Sequence, residues 1–365
     1  MLENTRKLAS IQKIKDLTPI QDADRIELAH VLGWQCVVQK GKFHAGDPCV
    51  YFEVDSFLPI RPEFEFLRSS SYRKSDLLGE GSRLKTMKFR GEISQGLVMT
   101  VSEALTGEQI VSLRDSSGSI PEGTDVTEML GVRKWEVPEM ATGQGTTIGS
   151  ASTYIPITDE PRIQSYPELL KEFSGLNYYI TTKLDGSSHS IMIDEDNNIH
   201  VCGHHFELKD DGTSAFYEWL KARNVPAKLR FAKEARGLKT LSVQGEWCGG
   251  GIQNNPLKLK SPNWFVFTVN EDRKRVGMNE MVAMTKMLDV DTVPIQEIGH
   301  DLPVVYPTEA ALLERCEQEV AHKIYPGTPE GIVIRPVEPV YSRTIGGPLS
   351  MKVKSNRYLL KHESA

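Results

Sequence analysis

Lysine attacks as a neutral amine, and an ordinary pKa of about 10.4 leaves almost none of it neutral at pH 7. A chain that uses one as a nucleophile must therefore gather charge around it. Five short motifs in this sequence read as such a gathering: Lys183-Leu184-Asp185-Gly186, Gln244-Gly245-Glu246 running into Gly249-Gly250-Gly251-Ile252-Gln253, Trp264-Phe265-Val266-Phe267, Glu330-Gly331-Ile332-Val333-Ile334-Arg335, and Ser350-Met351-Lys352-Val353-Lys354. Lys352 and Lys354 are two apart in an apparent strand, so their side chains share one face. That face is expected to line the pocket around Lys183, depressing its pKa and neutralising phosphate as charge develops. Taken alone, the two lysines read more readily as a solvated strand edge, and the other motifs reverse that.

In their order the motifs resemble those of the covalent nucleotidyltransferases, and specifically the ATP-dependent RNA ligases. The run through Gly-Glu and Gly-Ile-Gln is similar to the phage-type enzymes that seal nicks in duplex RNA, and the resemblance covers Thr158 to Tyr358. It implies three steps: Lys183 takes AMP from ATP, AMP passes to an RNA 5′-phosphate, and a 3′-hydroxyl displaces it. It also implies Mg2+ or Mn2+ held by Asp185 and Glu330, a ribose contact from Glu246, and Lys352 and Lys354 on the nucleotide's phosphates. Phe267 would stack on adenine, although an aromatic in an apolar strand is otherwise core; alternation puts Phe265 on the same face. Upstream, Thr158 to Gln164 resembles a segment of RNA ligases with an amino-terminal OB module. There Arg162 is expected to reach a phosphate, or else to pair with Asp159 or Glu160. Where phage-type ligases carry a phosphate-binding arginine, this chain reads Cys202-Gly203-His204-His205-Phe206, and His204 takes that place. Metal binding by the His pair is not expected, since neighbours on a strand point apart.

These residues need elements to position them. At 365 residues, 39% hydrophobic and 25% charged, the chain is long enough for two ordinary globular domains. The expected class is α+β, with an OB-like β-barrel over 1–139, a small polar Gly-rich linker over 140–154, and an adenylyltransferase domain of antiparallel sheets flanked by helices over 155–365. Leu8 to Ile14, Ile26 to His30, Gln35 to Val38, Cys49 to Glu53 and Leu97 to Val101 read as barrel strands. The runs Asp22 to Leu28 and Phe89 to Leu97 resemble OB-fold tRNA-binding modules. Further on, Tyr179 to Thr182, Ser190 to Ile193 and Ile199 to Cys202 read as strands, and Ser214 to Arg223, Pro226 to Arg236, Asn279 to Leu288 and Thr308 to Ile324 as helices.

A net charge of −6 means no global basic field, so RNA contacts must be local. Arg68 to Arg90 holds seven basic residues against two acidic ones, with Tyr72 and Phe89 interleaved, and reads either as an RNA surface or as a solvated loop. A second basic run, Lys228 to Lys239, lies on an expected helix and is a candidate for the duplex backbone. Five cysteines without a C-x-x-C pair, no secretion signal and no transmembrane run fit a cytoplasmic protein with neither membrane nor obligate protein partner. Only 11 residues follow Lys354, too few for the carboxy-terminal domains of DNA ligases, capping enzymes or phage-type ligases. The amino-terminal module is therefore the expected second clamp on ATP. A capping-type guanylyltransferase and a non-catalytic OB-fold RNA-binding protein are the alternatives to a ligase acting on broken RNA with 3′-hydroxyl and 5′-phosphate ends.

Overall fold

The structure is a computed structural model that describes residues 6–135, 145–151, 155, 159–321 and 325–362. It divides into two compact units, one of Met1–Glu139 with Gln164–Pro167 and Leu359–Ala365, the other of Met140–Ile163 with Glu168–Tyr358. Among the described residues no helix is long and apolar enough to cross a membrane.

The first unit is built of short antiparallel strands. Pro48–Phe52 lies between Ala9–Lys13 and Leu97–Thr100, while Ile26–Val31 lies between Asp16–Pro19 and Trp34–Gln39. Alternation explains the last of these, since Trp34, Cys36 and Val38 are buried while their neighbours are not. The expected strands stand within two residues of their read positions. Arg68 to Arg90 is not a loop: a helical turn, Arg68–Ser71, leads into Tyr72–Ser75, which pairs with Gly79–Arg83, and Met87–Phe89 then pairs with Glu92–Ser94. Arg90 and Gly91 both have positive φ, 50° and 92°, as a two-residue turn between twisted strands requires.

Two large sheets, mainly antiparallel, and a two-stranded ribbon of Tyr341–Ser342 with Gly347–Pro348 form the second unit. The larger runs in the order Thr147–Ser150, Phe206–Leu208, Ile199–Cys202, Ser187–Ile193, Leu241–Cys248, Asn263–Glu271 and Lys274–Arg275, with Asp291–Thr292 added parallel to Asn263–Glu271. Its outer face is covered by the helices Ala215–Ala222, Val225–Ala235 and Met278–Leu288, which bury Phe216, Leu220, Leu229, Met284 and Leu288 against Ile191, Val243 and Trp264. The smaller sheet runs Ile295–His300, Asn177–Lys183, Gly331–Pro336 and Met351–Lys354. Glu309–Ala321 packs on it, with Leu312 and Cys316 fully buried. Within the segment expected as a linker, Thr147–Ser150 is instead an edge strand, its backbone paired to Phe206–Leu208; residues 140–144 and 152–154 lie outside the described residues.

Candidate active site

The site lies in the second unit, and strand register assembles it. Lys183 ends its strand opposite Gly331, and Gly331 is opposite Lys354 on the other side, so three strands bring Lys183, Glu330 and Lys354 into one row. The Glu330 backbone N–H donates to the Lys183 carbonyl at 2.9 Å, which fixes that row. Lys183 Nζ donates to Glu330 Oε2, and Lys354 Nζ stands 2.5 Å from Glu330 Oε1. Both carboxylate oxygens are thus bound by ammonium groups, and these hold Glu330 far below the carboxylate range against the opposing effect of burial.

This arrangement corrects the expectation that positive neighbours depress Lys183. Burial alone would lower its pKa, but Glu330, Glu246 and Asp185 together raise it. The lysine lowered instead is Lys352, brought to about 8 by burial, with Lys354 and Lys183 adding to the fall and its ion pair with Asp159 opposing it. Register places Lys352 beside Val333, two pairs further along the same two strands and so on the same face as Lys354.

Asp185 stands two residues after the lysine. Burial and then the charge of Glu330 push it up to about 6, opposed by a hydrogen bond that the Tyr358 hydroxyl donates to Asp185 Oδ2. Glu246, in Leu241–Cys248, is raised by burial to about 7, and its Oε1 accepts from the Gly186 N–H at 3.0 Å. Gly186 is needed for closeness: a Cβ there would stand 2.7 Å from Cys248 Sγ and 3.0 Å from Glu246 Cγ.

Phe267 occupies a β-bulge. Gln244 pairs with Thr268 and Gly245 with Val266, so Phe267 has no partner in the ladder. Its freed carbonyl accepts from Arg335 Nη1, and the guanidinium lies 5.8 Å from the Phe267 ring. Arg335 also donates to Thr268 Oγ1 at 3.2 Å and pairs with Glu160, which its charge holds near about 2 despite burial. Phe265 is buried among Leu184, Cys248, Leu257 and Val293, whereas Phe267 is half-buried beside them. Of the two rings, Phe267 is therefore the less buried.

Arg162 is buried and bridges in parallel to Lys352, whose N–H donates to the Pro161 carbonyl at 2.8 Å. Of its expected carboxylate partners, Asp159 pairs with Lys352 and Glu160 with Arg335. His204 and His205 are not on a strand: they form the turn closed by the Gly203 N–H donating to Phe206 O at 2.9 Å, and their rings lie 4.2 Å apart. The premise that they point apart fails, yet among the described residues no three His, Cys, Asp or Glu side chains gather as a metal site. In the basic run from Lys228, Lys228 donates to Leu288 O, Lys233 is buried on Asp194 O and Asn197 Oδ1, and Arg236 pairs with Glu271. Those three cations hold the fold together.

The arrangement can be compared with known proteins. Residues 176–354 match the family described as RNA ligase, and residues 8–101 match a family described as an OB-fold domain. No curated protein matches significantly. Among solved structures, a variant of the Naegleria gruberi RNA ligase with AMP and manganese is 30% identical, covering 99% of this chain and 100% of its own, with a TM-score of 0.83. Another variant of it with ATP and manganese is also 30% identical, over 98% and 100% of the two chains, at 0.83. The same enzyme with pyrophosphate is 31% identical over 99% and 100%, at 0.82. This chain belongs to the RNA ligase family.

In this ligase residues 8–101, within the first unit, match an OB-fold domain and the class is α+β, as the resemblance implied. Sequence reasoning missed three residues that hold the site. Arg335 had a signal, a charged residue closing the apolar run Ile332-Val333-Ile334. Glu160 and Tyr358 had none, because each meets its partner across more than a hundred residues of chain.

Proposed function

We propose that the ligase joins a 3′-hydroxyl to a 5′-phosphate at nicks in duplex RNA, using ATP and passing through Lys183-AMP and RNA-adenylate. In this reading 1–139 is the OB module and 155–365 the adenylyltransferase domain, to whose larger sheet Thr147–Ser150 adds an edge strand. The observation that carries it is Glu330 held between Lys183 and Lys354, within a chain 30% identical to an RNA ligase over nearly its whole length. The Naegleria structures with ATP, AMP and manganese support the nucleotide and the metal.

Lys183 Nζ loses its proton and attacks the α-phosphorus of ATP; the P–N bond forms as the bond to the bridging oxygen breaks and pyrophosphate leaves. A 5′-phosphate oxygen of RNA then attacks that phosphorus, the P–N bond breaks, and Lys183 takes a proton back. Finally the 3′-hydroxyl oxygen attacks the activated 5′-phosphorus, its proton is released, and AMP departs. Lys352 and Lys354 stabilise phosphoryl charge, Glu246 accepts from the ribose, Phe267 stacks on adenine, and Arg162 and His204 contact phosphate.

Asp185 and Glu330 present hard oxygen donors, which suit Mg2+ or Mn2+. A divalent cation bound there supplies positive charge that competes with Lys183 for the carboxylates and withdraws electrons from the α-phosphate.

The test is incubation with α-labelled ATP or GTP and a divalent metal, comparing wild type with Lys183→Ala for label that survives denaturation. ATP label lost in the variant supports the reading. Label from GTP points to capping chemistry, and no label from either overturns covalent catalysis.

A further inference from the structure

A cavity of about 590 Å3 opens at the start of the strand Asn263–Glu271, in the second unit. It shares no lining residue with the lysine–carboxylate centre. Phe265 and Tyr325 form its apolar wall, their rings meeting edge to face at 5.7 Å. On its rim stand Arg223, lying 4.1 Å from the Trp219 ring, and the exposed Lys260. Asn263 donates to Asp291 Oδ2 at 2.7 Å, which leaves the amide oxygen and the second carboxylate oxygen to meet a base edge or a sugar hydroxyl. Phe265 also belongs to the buried cluster that contains Leu184, the residue after the nucleophile.

We propose that this cavity binds one nucleotide of the RNA strand being joined. A flat base needs an apolar wall, and single-stranded or splayed nucleotides are held on aromatic faces with cations at the phosphates. The volume is within the range of about 300–1,000 Å3 typical of small-molecule sites. Arg223 and Lys260 serve the phosphates, while the Asn263–Asp291 pair faces the base or the 2′-hydroxyl, the group that separates RNA from DNA. In the run Lys228 to Lys239, by contrast, Lys228, Lys233 and Arg236 make structural contacts. The proposal rests on the reading of the chain as an RNA-joining enzyme.

The test uses the full chain carrying Arg223→Ala and Lys260→Ala together, both exposed positions. Two quantities are measured: label transfer from α-labelled ATP without RNA, and affinity for a fluorescent nicked RNA duplex by anisotropy across a salt series. Expected are an unchanged labelling rate and at least tenfold weaker RNA binding. The slope of log affinity against log salt should also become shallower by about 2, one for each lost phosphate contact. Unchanged RNA affinity overturns the proposal. Loss of labelling also overturns it, because the cavity would then serve ATP. Wild type that binds RNA but takes no label leaves the RNA site standing and refutes the catalytic reading instead.

Discussion

Replacing Gly245 by alanine places a Cβ 2.6 Å from the Phe265 carbonyl oxygen and 2.6 Å from Trp264 Nε1. Ordinary contact begins at 3.4 Å, so the two strands must separate by most of an ångström. Neither neighbour can swing away: one is ladder backbone, the other an indole whose N–H donates to His189 O at 3.3 Å in the core. Overpacking of this kind costs about 1–3 kcal/mol. For a unit of this size that lowers Tm by roughly 2–12 °C, taking about 2–4 °C per kcal/mol. The strands being separated carry Glu246 on one side and the Phe267 bulge on the other. A displacement near 1 Å in a reacting geometry costs about 100-fold in rate, so label transfer to Lys183 should fall by one to two orders of magnitude. Single-turnover labelling with α-labelled ATP and a thermal melt measure both effects. Gly250→Ala is the control, since nothing lies within 4 Å of its added Cβ, and it should match wild type in both. A Gly245→Ala protein with wild-type Tm and labelling rate would refute the steric argument.

Tyr358→Phe keeps the ring and removes the hydrogen bond to Asp185. A hydrogen bond to a charged group contributes about 1.5–3 kcal/mol to stability, so Tm should fall by roughly 3–12 °C at about 2–4 °C per kcal/mol, and lysine labelling measured well below the melt should also slow; an unaltered rate rejects a positioning role. Glu246 is held up at about 7, so between roughly pH 4.5 and 7 the folded chain carries a proton the unfolded chain has lost, and stability falls as pH rises through that window. Glu246→Gln retains an oxygen for the Gly186 N–H and should melt above wild type at pH 8 but level with it at pH 4.5; a lower melt at pH 8 would contradict burial as the cause. Deleting residues 1–139 should damage labelling of Lys183 far more than sealing of a preadenylylated nick, and equal loss of both steps would reject a role for the OB module in the first step.

What the sequence determined about this ligase is the set of reacting groups and the local elements that carry them. Covalent transfer through an amine demands a lysine, carboxylates and further cations, and these stand in short motifs whose residue types survive in any folded context. Strands such as Trp34–Gln39 and the helix Ala215–Ala222 were equally legible, because alternation and helical spacing are properties of neighbouring residues. Tertiary structure alone decided which charges meet. Lys183 and Glu330 are 147 residues apart, and their ion pair exists because register sets Lys183 opposite Gly331. The side-chain period of a strand says which face a residue takes and nothing about which residue of a distant strand lies opposite. The sign of the charge around Lys183 was therefore misread, the bulge that frees the Phe267 carbonyl for Arg335 was invisible, and Tyr358 carried no mark at all. Thr147–Ser150 reads as a linker for the same reason: its two strand formers, Thr147 and Ile148, stand among Gly and Ser, and the edge of Phe206–Leu208 makes it a strand.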